Sequence, residues 1–177
     1  MSTWVPEITL DVDGIRDRLD REQPALRGLP ITVLGEGWDS LAVRVGDDWV
    51  FRFTRRRLAA TLMAREVAWM PWLAPRLPAG VPVPVPERVG GGDYPYAGHR
   101  WLPGVTGCAV GDDFRDRLAA PLGRFLRALH AVEPPPDGPE PFVGGPHPEP
   151  PPGDVLGRAD HRRRGDRALE RLGAVDG

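Results

Sequence analysis

The chain has 177 residues, and 25 acidic against 23 basic side chains leave a net charge of -2, so there is no general attraction for nucleic acid. No apolar stretch approaches the roughly 20 residues a membrane-spanning helix needs, which excludes a helical membrane protein. It has neither lysine nor asparagine, so every side-chain cation at neutral pH is an arginine or a protonated histidine.

The single cysteine, Cys108, can form neither an internal disulfide nor a cysteine-rich zinc site, and it reads as a small apolar filler in a reducing compartment. With no basic segment ahead of an apolar signal core at the N-terminus, cytoplasmic residence is expected.

In chain order, Asp11 to Leu26 reads as a modest, mostly solvated helix, capped at Asp11 or Asp13, with Ile15 and Leu19 four apart and Pro24 and Gly28 ending it. Three strand-like runs follow, Ile31 to Leu34, Leu41 to Val45 and Trp49 to Phe53. Gly46-Asp47-Asp48 is the turn between the last two, and the whole predicts an antiparallel meander. Within the third run the pleat sets Trp49, Phe51 and Phe53 on one side and Val50 and Arg52 on the other.

A helix from about Leu58 to Leu73 comes next, its end weakened by Pro71 and Pro75. On a wheel of 3.6 residues per turn, Ala59, Leu62, Met63, Met70 and Leu73 fall within about 60° of Glu66. A carboxylate at the centre of such a face needs a paired cation, and Arg52 is the best placed. This pairing has two readings at this stage: a structural salt bridge that fixes the helix on the sheet, or part of a ligand site.

The run Val81-Pro82-Val83-Pro84-Val85-Pro86 lacks alternate N–H groups and predicts an extended connector. Gly90-Gly91-Gly92-Asp93 then turns the chain into a strand from Tyr96 to Leu102, stopped by Pro103-Gly104. Asp112 to Val132 is a second strong helix with Phe114, Leu118, Leu122, Phe125 and Leu129 on one stripe and a kink expected at Pro121. From Pro134 to Pro152 more than half the residues are proline, marking an extended break, and only Arg158 to Leu172 beyond it has helical potential. The arginine runs at 55–57 and 162–164 have no interleaved aromatics to stack bases, and read as solvated faces or helix starts.

Gly35-Glu36-Gly37-Trp38-Asp39-Ser40 joins the first two strands; alone it is an ordinary turn, since a strand and not a helix follows it. The order of glycine loop, strand, hairpin, strand with an inward cation, and helix with an inward glutamate resembles the small lobe of the protein-kinase-like fold. The local wording is similar to the aminoglycoside phosphotransferase family, which includes macrolide and choline-type kinases. The segments that carry this are 35–39, Trp49-Val50-Phe51-Arg52-Phe53, 70–78, Leu102-Pro103-Gly104 and 122–130. The likeness covers roughly Leu29 to Val132, and 154–160 more loosely.

The resemblance implies an α+β fold: a kinase-like N-terminal lobe of antiparallel sheet plus one inward-facing helix, then an incomplete, helical start of the C-terminal lobe. It divides the chain into a nucleotide-binding lobe at 1–98, a hinge at 99–104, a first C-lobe helix at 105–133, a Pro-rich segment at 134–153 and a short helical tail at 154–177. By the same resemblance Gly35, Glu36, Gly37 and Ser40 belong to the loop over ATP phosphates, Ala42 and Val50 are the ceiling on the adenine, and Arg52, held by Glu66, binds phosphate. The family often has lysine at the Arg52 position, with arginine in its macrolide-kinase-like branch, where a charged fork would grip oxygens in a different geometry. Backbone groups at Arg100, Trp101 and Leu102 would meet the adenine edge.

Family members use ATP and magnesium to phosphorylate a hydroxyl of a small molecule. The His-x-Asp-x-x-x-x-Asn loop that does this is missing here. His99, His130, His147 and His161 are followed two places on by Trp101, Val132, Glu149 and Arg163, and there is no asparagine. Asp113-Phe114-Arg115 opens a helix with Phe114 as its first core residue and is not a metal-binding Asp-Phe-Gly. His161 to Asp166 has the right residue types in the wrong spacing.

The expectation is therefore a truncated phosphotransferase that binds nucleotide but is inactive alone. It would take magnesium and a small-molecule acceptor only in a full-length relative, and no nucleic acid or membrane. The exposed helix 112–132 would drive self-association. The alternative is a non-catalytic nucleotide-binding or protein-interaction module.

Overall fold

Strand alternation organises the core. The computed structural model describes residues 5–105, 107–133 and 135, all within the first of two units, Met1–Glu140 and Pro141–Gly177. The expectations for the Pro-rich segment, the helical tail, the arginine run at 162–164 and the Cys108 side chain lie outside the described residues.

Helix α1 spans Val12–Glu22, with Asp11 Oδ1 accepting the Gly14 N–H at 2.7 Å. That bond satisfies one of the amides a helix start leaves unpaired. The helix stops four residues earlier than expected, because Pro24 opens a separate 3₁₀ turn, Pro24–Leu26. Strands β1 (Ile31–Glu36), β2 (Ser40–Val45) and β3 (Trp49–Thr54) form the expected meander. After the short β4 (Arg88–Gly90), β5 (Tyr96–Arg100) pairs with β3, and the five antiparallel strands lie in the order β1-β2-β3-β5-β4. This is the α+β architecture the sequence implied.

β4 is Arg88–Gly90, a strand the sequence reading passed over. It is three residues long, sits between a proline run and a glycine run, and exists through its partner, with Arg88 opposite Gly98 and Gly90 opposite Tyr96. Two glycines permit close approach here. A Cβ on Gly98 would lie 2.3 Å from Phe51, and one on Gly90 would lie 2.0 Å from the Tyr96 ring. β5 ends at Arg100, two residues short of the expected Leu102.

Trp49, Phe51 and Phe53 of β3, with Leu41, Val43 and Val45 of β2 and Tyr96 of β5, pack against Ile15 and Leu19 of α1. The Phe53 and Tyr96 rings lie 4.7 Å apart. Ile15 and Leu19 are fully buried, so α1, read from sequence as mostly solvated, closes one face of the sheet. Arg18 of α1 sits 4.8 Å over the Tyr96 ring and donates to Tyr94 O at 2.8 Å, which ties the helix to the β4–β5 hairpin.

Helix α2, Arg57–Leu73, continues through Pro71 and contacts β3 and β5. Helix α3, Asp112–His130, buries no residue. Phe114, read from sequence as core, is exposed, as are Leu118, Leu122 and Leu126. Among the described residues no helix is long and apolar enough to cross a membrane.

Candidate functional site

The face of the sheet opposite α1 is lined by residues of the other parity. In register, Ala42 lies opposite Arg52 and Arg44 opposite Val50, while Ala97 of β5 flanks Arg52 from the far side. Arg52 therefore leaves the sheet beside small side chains, and its guanidinium reaches α2, where Nη2 donates to Glu66 Oε2. The predicted partnership is formed. It is not a core ion pair, however: the Arg52 side chain is 42 % exposed and that of Glu66 30 %. Water reaches both groups, so the desolvation penalty expected for a fully buried glutamate is largely absent.

The pair borders a cavity of about 300 Å³ lined by Asp39, Ser40, Arg52, Thr54, Ala59, Leu62, Met63 and Glu66. Thr54 Oγ1 donates to Pro95 O at 2.7 Å, fixing the end of β3 beneath this cavity. Glu66 is the one partner the Arg52 guanidinium has among the described residues, and its remaining N–H groups are free to meet an anion. Asp39 is already committed to Arg56, whose Nη1 donates to Asp39 Oδ1 at 2.9 Å.

Of the residues singled out from sequence, the cavity gathers Ser40, Arg52 and Glu66. Ala42 and Val50 occupy the same sheet face without lining it. Gly35 and Glu36 end β1, and the Gly37 N–H donates to Ser40 O at 2.9 Å, closing the hairpin. A Cβ on Gly35 would meet nothing within 4 Å, so the space beside it is open.

Arg100, Trp101 and Leu102 lie toward the opposite end of β3, where Trp49 is opposite Arg100. The Trp101 N–H donates to Asp48 O at 2.7 Å, and His99 Nδ1 lies 2.8 Å from Arg100 O. The Trp101 carbonyl and both backbone groups of Leu102 have no backbone partner among the described residues.

The arginine run at 55–57 is a helix start, one of its two readings, with Arg56 the N-cap of α2, but its first member is not solvated. Arg55 is 5 % exposed, the sole buried charged side chain among the described residues. Its Nη1 donates to Glu36 Oε1 at 2.6 Å and to Gly37 O at 3.1 Å, and its Nε to Ile8 O at 3.3 Å. A guanidinium taken out of water costs several kcal/mol unless paired in this way. Strand parity carried the signal: 55 continues the series 49, 51, 53 one step past the strand end.

Chemically, the arrangement can hold an oxyanion against Arg52. It does not suit magnesium: among the described residues no group of three or more His, Cys, Asp or Glu could hold a metal ion, and the two carboxylates at the cavity are each engaged by an arginine.

Comparison with known proteins gives a consistent picture. The model of the phosphotransferase enzyme family (APH) matches residues 30–176. Among solved structures, the GDP and kanamycin complex of APH(2")-IIia is 27 % identical, with a TM-score of 0.60, covering 67 % of this chain and 42 % of that one. The GDP complex of wild-type aminoglycoside 2'-phosphotransferase-IIIa is also 27 % identical, with a TM-score of 0.63 and coverage of 70 % and 43 %. The gentamicin complex of APH(2")-IIa, at 19 % identity and a TM-score of 0.55, shares the fold. The chain thus spans less than half the length of these neighbours. No curated protein matches the sequence. With the family model spanning most of its length, the chain belongs to the phosphotransferase enzyme family (APH).

Proposed function

We propose that this chain is the nucleotide-binding part of an ATP-dependent phosphotransferase whose whole protein phosphorylates a hydroxyl of a small molecule. Arg52 would grip the phosphates, and Glu66 would hold its guanidinium in place. One observation carries the reading: Arg52 reaches Glu66 across an open cavity below the Gly35 to Ser40 hairpin, with guanidinium N–H groups left over. A purely structural bridge requires contact between the two side chains but no such cavity beside them.

Ser40 lines the phosphate end, Ala42 and Val50 supply the apolar surface for a purine ring, and the Leu102 backbone offers the edge contacts. Gly35 lies beside open space that the phosphates would use. An aminoglycoside is the acceptor class this reading favours, since one of the solved relatives is a kanamycin complex. The cytoplasm, with its nucleoside triphosphate and reducing conditions, is the matching compartment.

Transfer is a different matter. It needs a carboxylate to take or orient the hydroxyl proton, together with metal ligands. The sequence holds no His-x-Asp-x-x-x-x-Asn, and the carboxylates at the cavity are engaged by arginines. Binding without turnover is the expected behaviour of these 177 residues. An NMR titration of the chain with ATP, and separately with GTP, tests this. Shifts confined to Ser40, Ala42, Val50, Arg52 and Leu102 are expected, and an unchanged spectrum at millimolar nucleotide overturns the reading.

The exposed face of α3 favours a second role, association with another copy of the chain. Phe114, Leu118, Leu122 and Leu126 recur at four-residue spacing and are all exposed. Sedimentation velocity should show a concentration-dependent dimer that is abolished in Leu118→Arg/Leu122→Arg. A strict monomer at all concentrations contradicts it.

A further inference from the structure

The nucleotide reading makes no use of Arg55, yet no other charged side chain among the described residues is as deeply buried. What neutralises it comes from the hairpin over the cavity: the Glu36 carboxylate at 2.6 Å and the Gly37 carbonyl at 3.1 Å. The backbone repeats the connection, with the Arg55 N–H donating to Asp39 O at 2.8 Å while the Arg55 carbonyl accepts from Glu7 N–H at 2.9 Å. Next along the chain, Arg56 pairs with Asp39, a residue of the cavity wall. Both arms of the hairpin are therefore gripped from the β3–α2 junction, the short segment that joins Arg52's strand to Glu66's helix.

The asymmetry of the Arg55 pair is informative. The arginine side chain is 7 % exposed and the glutamate 60 %. The glutamate could leave for water at little cost to itself, whereas its departure would strip the buried guanidinium of its one carboxylate partner. The hairpin cannot swing away from the cavity without stranding that charge. Glu36 thus has a use in this protein that requires no contact with a ligand.

We propose that Arg55, acting through Glu36, is the positioning residue of the hairpin that covers the phosphates, and that this ion pair sets the affinity for the triphosphate while leaving the base site alone. The proposal rests on the nucleotide reading of the Arg52 cavity. It extends that reading by assigning the loop's geometry to a buried charge at the β3–α2 junction.

The experiment compares ATP and adenosine binding to the full chain and to Glu36→Gln, with Arg52→Ala as a reference. Glu36→Gln keeps an oxygen that can accept from Arg55 Nη1 and removes only the charge, a milder change than Arg55→Gln, and its melting curve is recorded alongside to separate lost affinity from lost fold. The expected result is a loss of about tenfold in ATP affinity, the scale of one charge-assisted hydrogen bond, with adenosine binding unchanged. Glu36→Gln binding ATP as tightly as the unmodified chain, or losing ATP and adenosine equally, overturns the proposal while the Arg52 reading stands. If the unmodified chain binds no ATP, or Arg52→Ala binds it equally well, the nucleotide reading fails and this proposal falls with it.

Discussion

On β3, Trp49, Phe51 and Phe53 are buried against α1, whereas Val50 and Arg52, one residue out of phase, stay partly exposed on the other face, where Arg52 lines a cavity. The α1 face is aromatic and closed, with the Tyr96 ring in T-shaped contact with Phe51 at 5.7 Å. The opposite face carries Ala42, Val50 and Ala97, the two arginines Arg44 and Arg52, and free space. Because the two sets of side chains share a backbone, the apolar face supplies the rigidity that aims Arg52 at α2, and the open face need contribute little stability of its own. Changes on one face should unfold the molecule, and changes on the other should leave it folded but unable to bind.

The severest way to break this division is Phe51→Ala. It would remove a fully buried ring that touches Trp49, Phe53, Tyr96 and the Cα side of Gly98, at a cost of about 3–5 kcal/mol. That is a large share of a small domain's stability, so thermal denaturation followed by circular dichroism should show a melting transition lowered by well over ten degrees or lost. A melt unchanged by this substitution would mean that the α1 face is not the core.

A smaller effect sharpens the same contrast. Burial pushes the Tyr96 phenol above its ordinary pKa of 10.0, the unionised form being favoured where water is excluded. The unfolded chain ionises near 10, so this contribution to stability is complete below that pH and lost as pH rises through the raised value. Tyr96→Phe removes the hydroxyl that accepts from Gln23 Nε2 at 3.2 Å, costing about 1 kcal/mol at neutral pH. The variant should then close the gap on the unmodified protein, or overtake it, above pH 10. Chemical denaturation midpoints at pH 7 and 10.5 measure this directly.

How much of this was legible beforehand follows the range of the forces involved. β1 to β3 and α2 could be read because each announces itself through its own periodicity. The Arg52 and Glu66 pair could be read because each residue interrupts an apolar pattern, and two such interruptions of opposite charge point to each other. β4 could not, since Arg88, Val89 and Gly90 carry no alternation and are ordered by β5. Arg55 had the buried parity of β3 as its signal but stood in a run of like charges, and its burial depends on Glu36 and Ile8, which are 19 and 47 residues away in sequence. For α3, amphipathicity gave the helix and its stripe, and the absence of the rest of a second lobe gave the exposure of that stripe; Phe114, Leu118, Leu122 and Leu126 are in solvent.

We propose above all that the open face binds nucleotide phosphates through Arg52. Isothermal titration calorimetry of the chain and of Arg52→Ala with ATP tests it most directly, with melting curves as the control for folding. Expected are binding by the unmodified chain, a loss of about 10- to 100-fold in the variant, and melting temperatures within about two degrees of each other. Equal affinity in the two proteins, or no binding by either, would contradict it.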